Sequence, residues 1–142
     1  MLNDMEMLQL IAKNSQMGCK GIEDIMSYTK TEKFRKALET QKEEYASIYK
    51  EAEKMILEKD GKLEEISPVA KMSSKTMTMM KTMQDDSEAH LAEMMYQGSA
   101  MGVTKILRNQ KEYAGSNPRI KELAQQLLKT EENNMEQMRK FL

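Results

Sequence analysis

The sequence predicts an all-α fold: a four-helix bundle made of two helical hairpins, joined by a long crossover that carries a short extra helix. Three observations predict it. Good helix formers dominate the 142 residues, with only 2 Pro, 6 Gly, 5% aromatics and no Trp. Apolar residues recur at helical spacing over four long segments. Turn and capping residues cut the chain so that three connections are short and one is far longer than an ordinary loop.

The elements follow in order. Helix A is expected over about 3–28, ending at "SYTKTEK", and helix B over about 31–59, ending at Asp60-Gly61. Their apolar stripes run Leu8, Ile11, Ser15, Gly18, Ile22, Ile25 and Phe34, Leu38, Gln41, Tyr45, Ile48, Ala52, Met55. A connecting helix is expected over about 68–83, with Ser67 as N-cap and Pro68 at the first helical position. Helix C, about 87–113, is capped by Asp86 or Ser87 and carries the stripe Leu91, Met94, Gly98, Met101, Lys105 with Ile106. Helix D, about 117–141, opens on Asn117-Pro118, and its stripe is Ile120, Leu123, Leu127, Glu131, Asn134, Met138, Phe141. One domain, 1–142, accounts for the length.

A weak internal repeat ties the hairpins together. "NSQMGCKGI" (Asn14–Ile22) aligns with "GSAMGVTKI" (Gly98–Ile106) at an offset of 84, through Ser15/Ser99, Met17/Met101, Gly18/Gly102 and Ile22/Ile106. At an offset near 86, B matches D through Phe34/Ile120 and Ala37/Leu123. The mid-helix glycines Gly18, Gly98 and Gly102 each cost about 1 kcal/mol relative to Ala. Close approach of A to C near a pseudo-twofold axis, or a local bulge, would account for them.

Composition limits the functions available. Twenty-two basic against 23 acidic residues give a net charge of −1, so nothing draws the chain to nucleic acid or to an anionic membrane. The single cysteine, Cys19, forbids an intrachain disulfide and suits a reducing compartment. "MLNDMEMLQLIAK" is acidic where a signal peptide is basic, and no run of about 18 apolar residues exists. A soluble, cytoplasmic protein is expected.

Two hairpins with one long crossover form the ferritin-like arrangement. "HLAEMMYQGSAMGVTKIL" followed by "LLKTEENNMEQMRKFL" is similar to segments of an uncharacterised, rubrerythrin-like group of the ferritin-like superfamily from anaerobic Gram-positive bacteria. The resemblance spans most of the chain and rests on helix layout and soft patterns. It implies a ferritin-like fold, with iron oxidation, peroxide reduction or iron storage where a di-iron site is complete.

That site needs a Glu from each of two helices and a Glu-x-x-His from each of the other two. The chain has one His, His90, and three residues before it stands Ser87, not Glu. His90-x-x-Glu93 has the spacing in reverse order. The polar residues expected at or near the interior are Gln41, Glu44, Tyr45, Gln97, Glu131 and Asn134. The metal-ligand candidates are therefore Glu44, His90, Glu93 and Glu131, set against a reading of Glu44 and Glu131 as boundary carboxylates and of His90 with Glu93 as a surface pair. Burial of Glu44 and Glu131 decides between these, since a buried carboxylate needs pairing or metal.

The methionines, 16 in all, raise Cu(I) binding, for which thioethers are suited. Met72, Met79, Met80 and Met83, with Thr76, share one face of the connecting helix, and Met77 lies off it. A core-facing packing stripe explains them better than copper; an exposed stripe would be an adaptable partner surface. Cys19 reads as a packing residue, because the one histidine lies several turns from it in the repeat. No phosphate loop or nucleophile triad occurs.

The residues thus point away from an enzyme and towards a bundle without a complete di-iron site, in a binding or structural role and without a cofactor. A homodimer is the assembly such bundles suggest. The rival is an iron-handling or oxidative-stress protein that binds iron or another divalent metal at an atypical site around Glu44, Glu93 and Glu131. A sporulation-related or partner-binding role is the third reading.

Overall fold

Side-chain caps set the start of every described helix. The Asn3 side chain accepts the Glu6 N–H while the Glu6 carboxylate accepts the Asn3 N–H, a reciprocal capping box. Thr31, Ser87 and Asn117 cap the others, the last followed by Pro118 at the first helical position. The structure, a computed structural model, describes residues 1–64 and 85–142. Its helices are α1 (Asp4–Met26), α2 (Glu32–Glu58), α3 (Glu88–Glu112) and α4 (Pro118–Arg139). Each end falls within two residues of the boundary expected for A to D. The expected connecting helix, with Ser67, Pro68 and the Met72–Met83 stripe, lies outside the described residues.

Helix α2 ends in a Schellman motif. Gly61 N–H donates to Ile56 O at 3.0 Å and Asp60 N–H to Leu57 O at 3.1 Å. The left-handed position that such a turn demands is held by Asp60, at φ 59°, and not by the glycine beside it. A Cβ on Gly61 would stand 2.5 Å from the Met5 methyl carbon, the far end of a flexible side chain that can turn aside.

Contacts at the bundle ends give the helix directions. Leu2 N–H donates to Glu112 O at 2.7 Å, and the Tyr113 hydroxyl to Asp4 at 2.6 Å, so the start of α1 meets the end of α3. At the other end Lys30 pairs with Asp86 at 3.1 Å and Thr31 donates to Glu88. Helices α1 and α3 are therefore antiparallel. Arg119, at the start of α4, reaches Glu51 and Glu58 late in α2, and Gln41 donates to Gln137 at 2.9 Å, so α2 and α4 are antiparallel too. The connection after α2 leaves beside α1's start, where Gln9 bonds Lys62 O at 2.6 Å and accepts from Glu64 N at 3.1 Å. It arrives at Asp86, beside α1's far end. Its two ends thus lie at opposite ends of the bundle, about 34 Å apart along a helix of 23 residues.

The expected stripes of A, B and D are the observed core, with Phe34, Leu38, Ile11, Ile25 and Ile120 fully buried and Phe34 stacked edge-on against Phe141 at 5.0 Å. The stripe expected for helix C is corrected. Leu91 and Ile106 are buried, but Gly98, Met101 and Lys105 are exposed, and the inward face runs through Ala92, Ser99 and Asn109. Small and polar residues carry that face, so apolar periodicity pointed to the neighbouring one.

Gly18 and Gly102 answer to side chains of α2 and α4, a cause beyond the close approach of A to C or the local bulge expected for them, and the glycines of α1 and α3 line one shared cavity. A Cβ on Gly18 would stand 2.7 Å from the Tyr45 ring, and one on Gly102 would stand 2.6 Å from the Glu131 carboxyl carbon. Both are under any real contact distance, whereas Gly98 has nothing within 4 Å. Gly18/Gly102 and Tyr45/Glu131 match at the two repeat offsets, so each hairpin carries the same device with a different side chain.

A polar cavity at the middle of the bundle

Helical spacing brings the inward polar residues of all four helices to one level. Gln41 and Tyr45 are one turn apart on α2, as are Asn134 and Glu131, in chain order reversed, on the antiparallel α4. Ser99 enters from α3 and Asn14 from α1, one turn before Gly18. Glu131 is 4% exposed, Tyr45 4%, Gln41 2% and Asn134 0%. Beside them lies a cavity of about 270 Å³, walled by Met17, Ile22, Met95 and Met101 and by Gly18, Gly21, Gly98 and Gly102. Asn14, Gln41, Tyr45, Ser99 and Glu131 supply its polar lining, and Lys105 stands on its rim.

Tyr45 and Ser99 hydrogen-bond the Glu131 side chain and Tyr45 engages Asn134, yet the set is not complete. Among the described residues Glu131 Oε2 and Asn14 Nδ2 are buried without a partner, and the Asn134 amide has none at full hydrogen-bond geometry. Burial disfavours the Glu131 anion and pushes its pKa up to about 7, although Tyr45, Ser99 and Lys105 each pull it down. Burial also drives the Tyr45 phenol far above its usual range, reinforced by the Glu131 charge. The arrangement can hold a proton near neutrality and can offer a bound molecule an acceptor, an amide and a phenol.

The other metal-ligand candidates do not join Glu131. Glu44 is half-buried on α2, off the cavity, with its carboxyl raised by burial. His90 lies in the first turn of α3, where its backbone N–H donates to the Ser87 cap at 3.2 Å, and its buried Nε2 has no partner among the described residues. Glu93 is exposed and accepts from Gln97 at 3.5 Å. Among the described residues no three His, Cys, Asp or Glu side chains gather in a group able to hold a metal ion. That donor set does not fit a di-iron centre, which needs four carboxylates and two imidazoles within reach of one pair of ions.

Of the inward polar residues expected, Gln41, Tyr45, Glu131 and Asn134 are brought together, while Glu44 and Gln97 are not. Asn14, Ser99 and Met95 were missed as site residues. The repeat pair Ser15/Ser99 was the available signal for one of them, since both serines are buried on the same register. Cys19 packs half-buried with Sγ 3.6 Å from Lys42 O. Burial and Glu23 raise its thiol despite Lys42, which leaves a poor nucleophile.

No protein-family model, curated protein or solved structure matches this chain. Among the described residues no helix is long and apolar enough to cross a membrane.

Proposed function

We propose that this chain is a ferritin-like bundle without di-iron chemistry that works as a binding protein, with the mid-bundle cavity as its binding site. One observation carries the reading: a buried carboxyl, Glu131, lines an open cavity with Oε2 lacking a partner among the described residues. Leaving such groups without partners costs about 1–3 kcal/mol each. A ligand that supplies the missing hydrogen bonds recovers that energy. The long crossover and the antiparallel pairing of α1 with α3 and α2 with α4 support the ferritin-like layout. At the position equivalent to Glu131 in the first hairpin stands Tyr45, a phenol, so the pseudo-symmetric carboxylate pair of a di-metal centre is absent among the described residues.

The test plugs the cavity. Gly98 lines its mouth and a Cβ there meets nothing within 4 Å, so Gly98→Leu places a side chain across the mouth without displacing the core. Saturation-transfer NMR with a fragment library is expected to find molecules that bind the wild type and not Gly98→Leu. Metal analysis of protein from metal-replete cells runs beside it. Near-stoichiometric Fe, Mn, Zn or Cu, lost in Glu44→Ala and Glu131→Ala, would overturn the proposal in favour of the iron-handling rival; so would a library with no plug-sensitive binder.

A further inference from the structure

We infer, resting on the cavity being a binding site, that its ligand is a small organic cation: a protonated amine with a short apolar tail. Three features of the cavity converge on that chemistry. Its walls are thioethers, an isoleucine and glycines, which suit an apolar body. Among the described residues its one lining carboxylate is Glu131, 4% exposed and with an oxygen that has no partner among them, and a charge so placed calls for a counter-ion. The Tyr45 ring, packed on Gly18, adds an aromatic surface next to that carboxylate, and an ammonium group is drawn to a ring as well as to an anion. At about 270 Å³, room for about nine waters at roughly 30 Å³ each, the cavity lies just below the drug-sized range and admits a small molecule of up to about ten heavy atoms.

The chain's own charges leave this role open. Around Glu131, α2 contributes Tyr45, α3 contributes Lys105, and α1 contributes only the uncharged Asn14, Met17 and Gly18. Lys105 is exposed at the rim and forms no ion pair with Glu131 among the described residues. A bound ammonium favours the ionised carboxylate, so binding near neutrality releases a fraction of a proton from Glu131.

The experiment titrates the intact chain at about pH 7 with n-butylammonium, 1-butanol and butyrate, by calorimetry in buffers of different ionisation enthalpy. The amine is expected to bind at least about tenfold tighter than the alcohol, with proton release, and Glu131→Gln to erase that difference. Gly98→Leu is expected to abolish binding of both. Equal binding of alcohol and amine, both lost in Gly98→Leu, would overturn the cation while keeping the binding site. Preference for butyrate would overturn it by making Lys105 the recognising charge. Failure of all three probes, together with no plug-sensitive fragment, would overturn the binding proposal itself and this inference with it. Heteronuclear NMR spectra of both variants establish that they are folded, so loss of binding is read at the site.

Discussion

Replacing Glu131 by Gln should remove a pH dependence that one buried carboxyl imposes on the whole fold. The folded-state pKa, about 7, lies above the ordinary value of 4.5 because burial penalises the anion. Folding therefore favours the protonated form. The sign follows: below about pH 4.5 the group is protonated folded or unfolded and costs nothing, and stability falls as pH rises through the folded pKa, levelling above about 7. A shift from 4.5 to about 7, at about 1.4 kcal/mol per unit, makes that loss about 3 kcal/mol. Glutamine keeps the shape and cannot ionise. The assay is urea denaturation of both proteins at intervals between about pH 5 and pH 8, taking the difference so that titrations common to both cancel. The two should be within about 1 kcal/mol at pH 5, and Glu131→Gln should be about 3 kcal/mol more stable at pH 8. A difference that stays constant across this range, or one that favours the wild type as pH rises, would refute the reasoning, because it would mean that Glu131 ionises freely in the folded bundle.

Two of the mid-helix glycines should respond differently to alanine. Gly98→Ala should stabilise by about 1 kcal/mol, raising Tm by about 3–4 °C, because it removes the helix penalty and meets no atom within 4 Å. Gly18→Ala should destabilise by about 1–2 kcal/mol, because the buried Tyr45 ring would stand 2.7 Å from the new methyl group and cannot turn aside as a flexible chain end would; matching denaturation midpoints for these two variants would sink the argument. Asp60→Gly should stabilise by about 0.5–1 kcal/mol, since glycine adopts φ 59° without the strain aspartate bears there, and an unchanged urea midpoint would count against it. Phe34→Ala should cost about 3–5 kcal/mol, as Phe34 is fully buried against Phe141 at 5.0 Å, and thermal unfolding within a few degrees of wild type would contradict that packing.

How much was legible in the sequence depended on how strongly each helix separates its faces. Helices α1, α2 and α4 put Leu, Ile, Phe and Met on one stripe against charged residues, so periodicity alone named their cores, including the polar members Gln41, Tyr45, Glu131 and Asn134. Helix α3 does not. Its inward face carries Ala92, Ser99 and Asn109, and its apolar Met101 is 61% exposed, so the same method rotated it by part of a turn. The error fell at the cavity. Gly98, Met101 and Lys105, expected in the core, line the mouth instead, because a helix that borders open space has no dense packing to impose an apolar stripe. Glu131 was visible as a site residue because a carboxylate on an apolar stripe contradicts its neighbours. Asn14 and Met95 were not, since neither residue type breaks the pattern around it.

The repeat explains why a single carboxylate remains. In each hairpin a helical glycine receives a large side chain from the facing helix: Gly18 receives Tyr45, and Gly102 receives Glu131. Two carboxylates at these places would repel, each raising the other's pKa, unless cations lay between them. With tyrosine on one side that requirement is gone, and the remaining charge is single. One buried anion is balanced by a proton or by one monovalent cation, whereas two or more multivalent ions need a cluster of donors that the described residues do not assemble. A ligand entering the cavity meets the Glu131 carboxyl, the Asn14 and Gln41 amides and the Tyr45 phenol, which the fold holds in place. Its binding should stabilise the bundle by about 2.7 kcal/mol at a hundredfold excess over Kd, and the gain should shrink in Glu131→Gln. An equal gain in both proteins would show that Glu131 contributes nothing to recognition, whatever its protonation state.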